Sequence, residues 1–90
     1  MEIRYTPDAL KDLEFWKKSG NKIIQKRIVL LIEDIRKHPF TGIGKPEALK
    51  YELTGKWSRR INSEHRIIYQ VINENIIDIL EILSLKGHYE

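Results

Sequence analysis

The sequence predicts an α+β domain in which a mainly antiparallel sheet packs against a pair of helices near the N-terminus. Two observations support this fold class. The first part of the chain carries apolar residues at helical spacing, whereas the second half is rich in isoleucine and is divided by short turn signals. A short alternating segment precedes the helices, so the predicted order of elements is β-α-α-β-β-β-β.

The chain opens with a predicted strand over Met1 to Tyr5, where apolar and charged residues alternate. Thr6 then resembles a helix N-cap, and Pro7 suits the first helical position. An apolar stripe at helical spacing predicts an amphipathic helix from Pro7 to about Lys18; its members are Ala9, Leu10, Leu13 and Trp16. Gly20 is expected to end this helix.

A second helix is predicted to follow at once, with Asn21 as its cap. Its apolar stripe follows the spacing i, i+4, i+7, i+8, i+11 and consists of Ile24, Ile28, Leu31, Ile32 and Ile35. His38-Pro39 should end the helix, because a residue before proline is disfavoured in the α region. Two helices joined by so few residues are expected to form an antiparallel hairpin.

Four strands are predicted in the second half, after a loop marked by two glycines and Pro46. They cover about 49–53, Trp57 to Ile61, His65 to Ile72, and Ile76 to Leu85. The last segment has polar residues three apart, which is close to a helical period, but its isoleucine content and the preceding turn favour a strand. The helices should cover one face of the sheet only, which leaves the face that carries Arg66 open to a ligand.

Length and composition fit one globular domain over residues 1–90, with 41% apolar and 32% charged residues. No apolar run approaches the roughly 20 residues that a membrane span needs. The absence of cysteine excludes disulfides, thiolate metal sites and a cysteine nucleophile. We expect a cytoplasmic protein without a cofactor.

Positive charge is concentrated in one part of the chain, although the formal net charge is only +3. From Lys45 to Arg66 there are six Lys or Arg residues and three acidic residues. Such a concentration fits a polyanionic partner, most simply RNA or DNA. An ordinary solvated basic surface explains the charge about equally well.

The residue types needed to cleave RNA without a metal are also present. A general base must deprotonate the ribose 2′-hydroxyl, a cation must stabilise charge at phosphorus, and an acid must protonate the leaving 5′-oxygen. Glu47 is a candidate base, Arg60 and Arg66 are candidate cations, and His88 with Tyr89 could supply the proton. From the residues alone, a solvated loop acid or a helix cap is the more common role for a glutamate such as Glu47. The His and carboxylate spacings do not suggest a metal site.

Arg59 and Arg60 should point to opposite faces of their strand, because successive side chains of a strand alternate. At most one of them can therefore face a common site, and the other is expected on the surface.

Four ordered motifs resemble the YoeB/Txe toxins of the RelE/ParE superfamily. They are Pro39-Phe40-x-Gly42-x-Gly44-Lys45-Pro46-Glu47-x-Leu49-Lys50, then Leu53-x-Gly55-Lys56-Trp57-Ser58-Arg59-Arg60-Ile61, then Glu64-His65-Arg66-x-x-Tyr69, and His88-Tyr89. The resemblance covers most of the chain, including Trp16 and the helix pair. It implies a microbial-RNase-like fold of the RelE type.

The resemblance further implies a ribosome-dependent mRNA endoribonuclease, the toxin of a type II toxin–antitoxin system. Its partners would be a YefM/Axe-type antitoxin, the ribosome and mRNA, with a homodimer possible. The positions that match the family's catalytic residues are Glu47 as base, Arg66 at the scissile phosphate, His88 as acid, and Tyr89 as its positioning partner. The positions that match basic, RNA-holding residues are Lys45, Lys50, Arg59 and Arg60.

Two other functions remain open at this point. The same superfamily scaffold could poison DNA gyrase, as ParE-like toxins do, without any nuclease activity. A non-catalytic RNA-binding module would need only the basic strands.

Overall fold

A computed structural model describes residues 1–74 and 77–87 of the chain. The two helices are α1 (Pro7–Ser19) and α2 (Lys22–Lys37). The strands are β1 (Glu2–Tyr5), β2 (Glu47–Ala48), β3 (Trp57–Arg60), β4 (Arg66–Glu74) and β5 (Ile77–Ser84). The predicted fold class and the order of elements are confirmed.

Both predicted helix starts form as expected from their caps. The Thr6 hydroxyl accepts a hydrogen bond from the Ala9 amide at 3.2 Å, and the Asn21 side chain accepts one from the Ile24 amide at 3.1 Å. Gly20 ends α1 with a φ of 71°, a left-handed conformation that glycine adopts without steric cost. Within the described part of the chain, neither helix is long and apolar enough to cross a membrane.

The five strands form one sheet with the order β1-β5-β4-β3-β2. Among the described strands, one pair, β1–β5, is parallel; a parallel pair needs a long crossover connection, which α1, α2 and the later strands provide. The other pairs are antiparallel, and β4 and β5 form a long hairpin with an irregularity between Ile68 and Tyr69. The sheet is therefore mainly antiparallel, as the sequence predicts.

The hydrophobic core lies between the helix pair and one face of the sheet. All five predicted stripe residues of α2 are buried in it, together with Ala9 and Trp16 of α1. The sheet contributes its helix-facing residues: Ile61, Ile67, Tyr69, Leu80 and Ile82. Since these core residues belong to the helix-facing side, the opposite side is free to carry polar groups.

The strand predicted over about 49–53 is wrong. Tyr51–Leu53 forms one turn of 3₁₀ helix, and the neighbouring strand is the shorter β2. Tyr51 has a φ of 59°, which is incompatible with a strand, and the residue is 87% exposed. The alternation of Leu49, Tyr51 and Leu53 therefore reflects a turn that leads into β3. The predicted start of the last strand, Ile76, lies outside the described residues.

Candidate functional site

The helix-free face of the sheet brings together two of the predicted catalytic residues. Cross-strand register places Glu47 of β2 opposite Ser58 of β3, and Arg60 of β3 opposite Arg66 of β4. Residues that are directly opposite in an antiparallel pair share a face. Ser58 is also opposite Ile68, so Glu47 and Arg66 are two strands and two residues apart, about 12 Å between Cα atoms.

Residues in the middle of this face are buried, whereas residues near its edge are exposed and charged. Ser58, Ile68 and Ser84 form a buried cross-strand row, each at most 9% exposed. Glu47 and Arg60 are exposed beside this row. The Ser84 hydroxyl is buried without a hydrogen-bond partner among the described residues. The face therefore presents an accessible carboxylate and an accessible cation beside a row of buried residues.

Arg66 is held in place by the turn that precedes it. Its Nη1 donates to the carbonyl oxygens of Asn62 at 2.7 Å and His65 at 3.1 Å, and only 8% of the residue is exposed. Both of these hydrogen bonds are donated by Nη1. A guanidinium that is fixed in this way can stabilise developing negative charge without reorganising.

The two predicted RNA-holding lysines lie near this face on irregular backbone. Lys45 and Lys50 are both exposed, and Lys45 has a φ of 53°. The carbonyl of Gly44 accepts a hydrogen bond of 2.6 Å from the Arg60 amide. The loop that carries Lys45 is therefore attached to β3, which keeps its positive charge beside Arg60.

Arg59 requires a correction, because its side chain is neither on this face nor on the surface. It points to the helix side and is completely buried. All five of its N–H donors are used within the protein: Nε by Tyr69 Oη, Nη1 by Asp34 and the Ile43 carbonyl, and Nη2 by the carbonyls of His38 and Thr41. No donor is left for RNA, so its predicted RNA contact is replaced by a structural role. We call these residues the Arg59 cluster.

The Arg59 cluster fixes the loop between α2 and β2. The Tyr69 hydroxyl donates to the Pro39 carbonyl at 2.6 Å, and the Ile43 amide donates to Asp34 at 3.1 Å. The hydrogen bond from Arg59 lowers the pKa of the Asp34 carboxyl, so Asp34 stays ionised. Burial raises the pKa of the Tyr69 hydroxyl, which keeps its proton as a donor. Glu47, the first residue of β2, comes shortly after the part of the loop that the cluster holds.

A second set of hydrogen bonds holds the segment 83–87. The carbonyl of Leu83 accepts from Thr6 Oγ1, the amide of Leu85 donates to Asp12, and the carbonyl of Leu85 accepts from Trp16 Nε1, each at 2.9 Å. The Gly87 amide donates to His65 Nδ1 at 3.0 Å, and the Gly87 carbonyl accepts from the Arg66 amide at 2.9 Å. We call this set the C-terminal clamp.

The clamp brings Gly87 beside Arg66. The predicted acid His88 and its partner Tyr89 follow Gly87 directly in sequence, but both lie outside the described residues. Within residues 1–74 and 77–87, no three His, Asp or Glu side chains are grouped in a way that could hold a metal ion.

The roles of Asp34, and of Asp12, His65 and Gly87 in the clamp, were not predicted from the sequence. Asp34 lies three residues after Leu31, at the edge of the apolar stripe of α2, and an acid that is partly buried beside a core is usually paired. His65 gave no comparable signal, because its partner Gly87 is 22 residues away in the chain.

Comparisons with known proteins converge on one family. Residues 5–89 match the family model described as the YoeB-like toxin of bacterial type II toxin–antitoxin systems. The toxin YoeB of Synechocystis sp. is 44% identical over 90 residues, which cover 100% of this chain and 99% of that protein.

Solved structures give the same result. A YoeB/ParE toxin from Agrobacterium tumefaciens superposes with a TM-score of 0.92 at 37% identity, covering 99% of this chain and 100% of that one. A YoeB dimer and a YoeB–YefM complex from Staphylococcus aureus give TM-scores of 0.84 and 0.83 at 39% and 40% identity, with 99% of this chain and 98% of each covered.

Proposed function

Because this chain belongs to the YoeB toxin family of bacterial type II toxin–antitoxin systems, we propose that it is a ribosome-dependent mRNA endoribonuclease. The observation that carries the proposal is the placement of Glu47, Arg66 and Gly87. Glu47 and Arg66 share the helix-free face, and Gly87, which precedes His88 in the sequence, is bonded to the Arg66 amide.

In the proposed reaction the Glu47 carboxylate accepts the proton of the ribose 2′-hydroxyl. The 2′-oxygen then attacks the adjacent phosphorus, and the bond from phosphorus to the 5′-oxygen breaks. His88 donates a proton to the departing 5′-oxygen, and Tyr89 positions the substrate beside it. The products are a 2′,3′-cyclic phosphate and a free 5′-hydroxyl, so no metal ion or added oxidant is needed.

Arg66 stabilises the negative charge that develops on the phosphate oxygens. Its Nη1 is bonded to two backbone carbonyls, which fixes the guanidinium before substrate arrives. Lys45, Lys50 and Arg60 are proposed to hold the flanking phosphates, because all three are exposed. Each would act through charge, and RNA binding should therefore weaken as salt rises.

Cleavage within a translated message tests this proposal. Primer extension should show cuts inside codons with wild type, and Glu47→Gln should lower the rate by about 10²–10⁴-fold, the usual contribution of a general base. Glu52→Gln is the matched control, because Glu52 is an exposed acid on the neighbouring 3₁₀ turn. A 2′-deoxy nucleotide at the cleavage position should remain uncut.

Two results would overturn the proposal. One is equal cutting by the Glu47→Gln and wild-type proteins. The other is inhibition of DNA gyrase supercoiling by wild type with translation intact, which would favour a ParE-like activity.

Toxin treated with EDTA and desalted before the reaction should cut at the wild-type rate if no tightly bound metal takes part.

We also propose that the chain pairs with a YefM-type antitoxin and acts in the cytoplasm, where its mRNA and ribosome partners are. A YoeB–YefM complex and a YoeB dimer from Staphylococcus aureus support these partnerships by similarity. Co-expression with a small acidic protein encoded by an adjacent reading frame should relieve growth arrest and give a complex that co-purifies. Sedimentation of the free chain tests for a homodimer.

A further inference from the structure

Asn62 lies in the turn between β3 and β4, and its backbone carbonyl makes the shorter of two contacts with the Arg66 guanidinium. The carbonyl oxygen accepts from Arg66 Nη1 at 2.7 Å, against 3.1 Å for the His65 carbonyl. Arg66 itself is buried, whereas Asn62 is exposed. The direction of the Asn62 carbonyl is therefore important for how the buried guanidinium is held.

The Asn62 side chain fixes the direction of that carbonyl. Its Oδ1 accepts from the amides of Glu64 at 2.9 Å and His65 at 2.7 Å. This is an Asx turn, in which a side-chain oxygen bonds the backbone two residues later in the chain. Each of the two hydrogen bonds closes a ring that contains the carbonyl carbon of Asn62, so they restrict rotation of the following peptide. Asn62 thus supplies both the acceptor for Arg66 and the bonds that orient this acceptor.

Other hydrogen bonds in this region hold different groups. The His65 carbonyl accepts from the amides of Ile61 at 3.0 Å and Asn62 at 3.3 Å, and the Arg66 amide donates to the Gly87 carbonyl at 2.9 Å. These bonds fix the strand ends and the backbone of Arg66. Because the rings closed through the His65 carbonyl are longer than the ring closed by the Glu64 amide, they restrict the Asn62 carbonyl less.

We propose that Asn62 is a positioning residue of the cleavage reaction: its side-chain oxygen shapes the turn so that its own carbonyl holds the Arg66 guanidinium in place for the phosphate. This inference rests on the proposed function, in which Arg66 stabilises charge on the phosphate oxygens. Asn62 does not contact the substrate in this scheme. A fixed cation stabilises the transition state without reorganising, and a displacement of about 1 Å can cost on the order of 100-fold in rate.

Two substitutions that differ by one oxygen atom test the side-chain acceptor. In Asn62→Ser the hydroxyl can accept from the same turn amides, although more weakly. In Asn62→Ala no side-chain acceptor remains. Among the described residues other than glycine, only Lys45 and Tyr51 have a positive φ, so neither variant introduces left-handed strain at position 62. Since Asn62 is exposed, both variants should stay folded, which circular dichroism checks.

The effect is expected in kcat and in the mobility of Arg66. Asn62→Ala should lower kcat by about 10–100-fold, whereas Asn62→Ser should stay within about fivefold of wild type. KM should change little, because exposed cations are proposed to hold the RNA. In the free full-length chain, NMR relaxation of the Arg66 Nε–H bond should give an order parameter near about 0.85 for wild type and Asn62→Ser, falling towards about 0.6 for Asn62→Ala.

Equal kcat values for Asn62→Ala and wild type would overturn the inference, as would an equally rigid Arg66 side chain in Asn62→Ala. Equal losses of kcat in the alanine and serine variants would also overturn it, because the side-chain acceptor would then make no difference. The relaxation measurement does not depend on cleavage.

A double-mutant cycle with Arg66→Ala shows whether the effect of Asn62 passes through Arg66. Asn62→Ala should cause no further loss of kcat in the Arg66→Ala protein, since residues that act as a unit are not additive. A full additional loss would overturn the inference. If Arg66→Ala alone cuts like wild type, the proposed function fails. If Arg66→Ala is slow and Asn62→Ala is not, the inference on Asn62 fails and the proposed function stands.

Discussion

Arg59 and Arg60 are neighbours on β3, yet they lie in opposite environments. Arg59 is completely buried on the helix side, where Asp34, Tyr69 and three loop carbonyls use all of its donors. Arg60 is exposed on the helix-free side, opposite Arg66. The comparison shows that the basic stretch contains two kinds of cation. Arg59 holds the loop between α2 and β2, whereas Arg60 is available to a polyanion.

The largest expected effect comes from removing the buried cation. Arg59→Met should lower the free energy of unfolding by about 3–5 kcal/mol, because Asp34 then lacks its partner and several loop carbonyls lose their donors. Urea denaturation followed by circular dichroism measures the change. Arg60→Met, the same substitution on the exposed side, should change stability by no more than about 0.5 kcal/mol. Equal losses in the two variants would contradict the division between the faces.

A smaller loss is expected at Gly42, which lies against the Arg59 cluster. A Cβ built on Gly42 would come within 2.0 Å of Asp34 Oδ2, and the glycine has a φ of 125°. Gly42→Ala should therefore destabilise the protein by about 1–3 kcal/mol through overlap and backbone strain. Gly55→Ala is the control, since its φ is 92° but no atom lies within 4 Å of the added carbon. Thermal unfolding of the pair separates overlap from strain, and equal shifts would show that overlap contributes nothing.

The pH dependence of stability tests how much the Asp34 carboxylate contributes to the Arg59 cluster. Folding lowers the Asp34 pKa, so the carboxylate contributes stability above its unfolded-state pKa. This contribution is lost as pH falls through the lower folded-state pKa. The advantage of wild type over Asp34→Asn in thermal midpoint should be present at pH 7 and shrink below about pH 4. A difference in thermal midpoint between wild type and Asp34→Asn that grows on acidification would contradict this prediction.

The smallest effect is expected for single exposed cations on the helix-free side. Arg60→Ala should weaken RNA binding modestly and reduce the slope of log affinity against log salt by roughly one counterion, about 0.7 for a single strand. Titrations of a short non-cleavable RNA at several salt concentrations measure the slope. Lys17→Ala, on the helix side, is the control. An unchanged slope for Arg60→Ala would remove this residue from the interface.

Much of the fold could be predicted from sequence because local signals agree with tertiary structure. The caps at Thr6 and Asn21, the buried stripe of α2, and the break at Pro39 are all encoded within a few residues. The error at Tyr51 arose because alternation over five residues does not separate a strand from a turn with one left-handed residue.

The candidate site was only partly predictable, and the limit is physical. Alternation correctly separated Arg59 from Arg60, but it did not indicate that Asp34, 25 residues earlier, would pair with the buried one. The motifs that resemble the family indicated both residues as RNA contacts, because a matching motif does not distinguish a scaffold cation from a ligand cation. Hydrogen bonds between distant segments, such as Gly87 to His65, depend on the packed structure.

The measurement that tests the central claim most directly is an NMR map of RNA binding. The ligand is a short RNA that carries a 2′-deoxy nucleotide at the cleavage position. The account predicts that amide shifts concentrate at Glu47, Ser58, Arg60, Arg66 and Gly87, while residues of α2 and the Arg59 cluster stay unchanged. Shifts centred on α2, with the helix-free face unaffected, would contradict it.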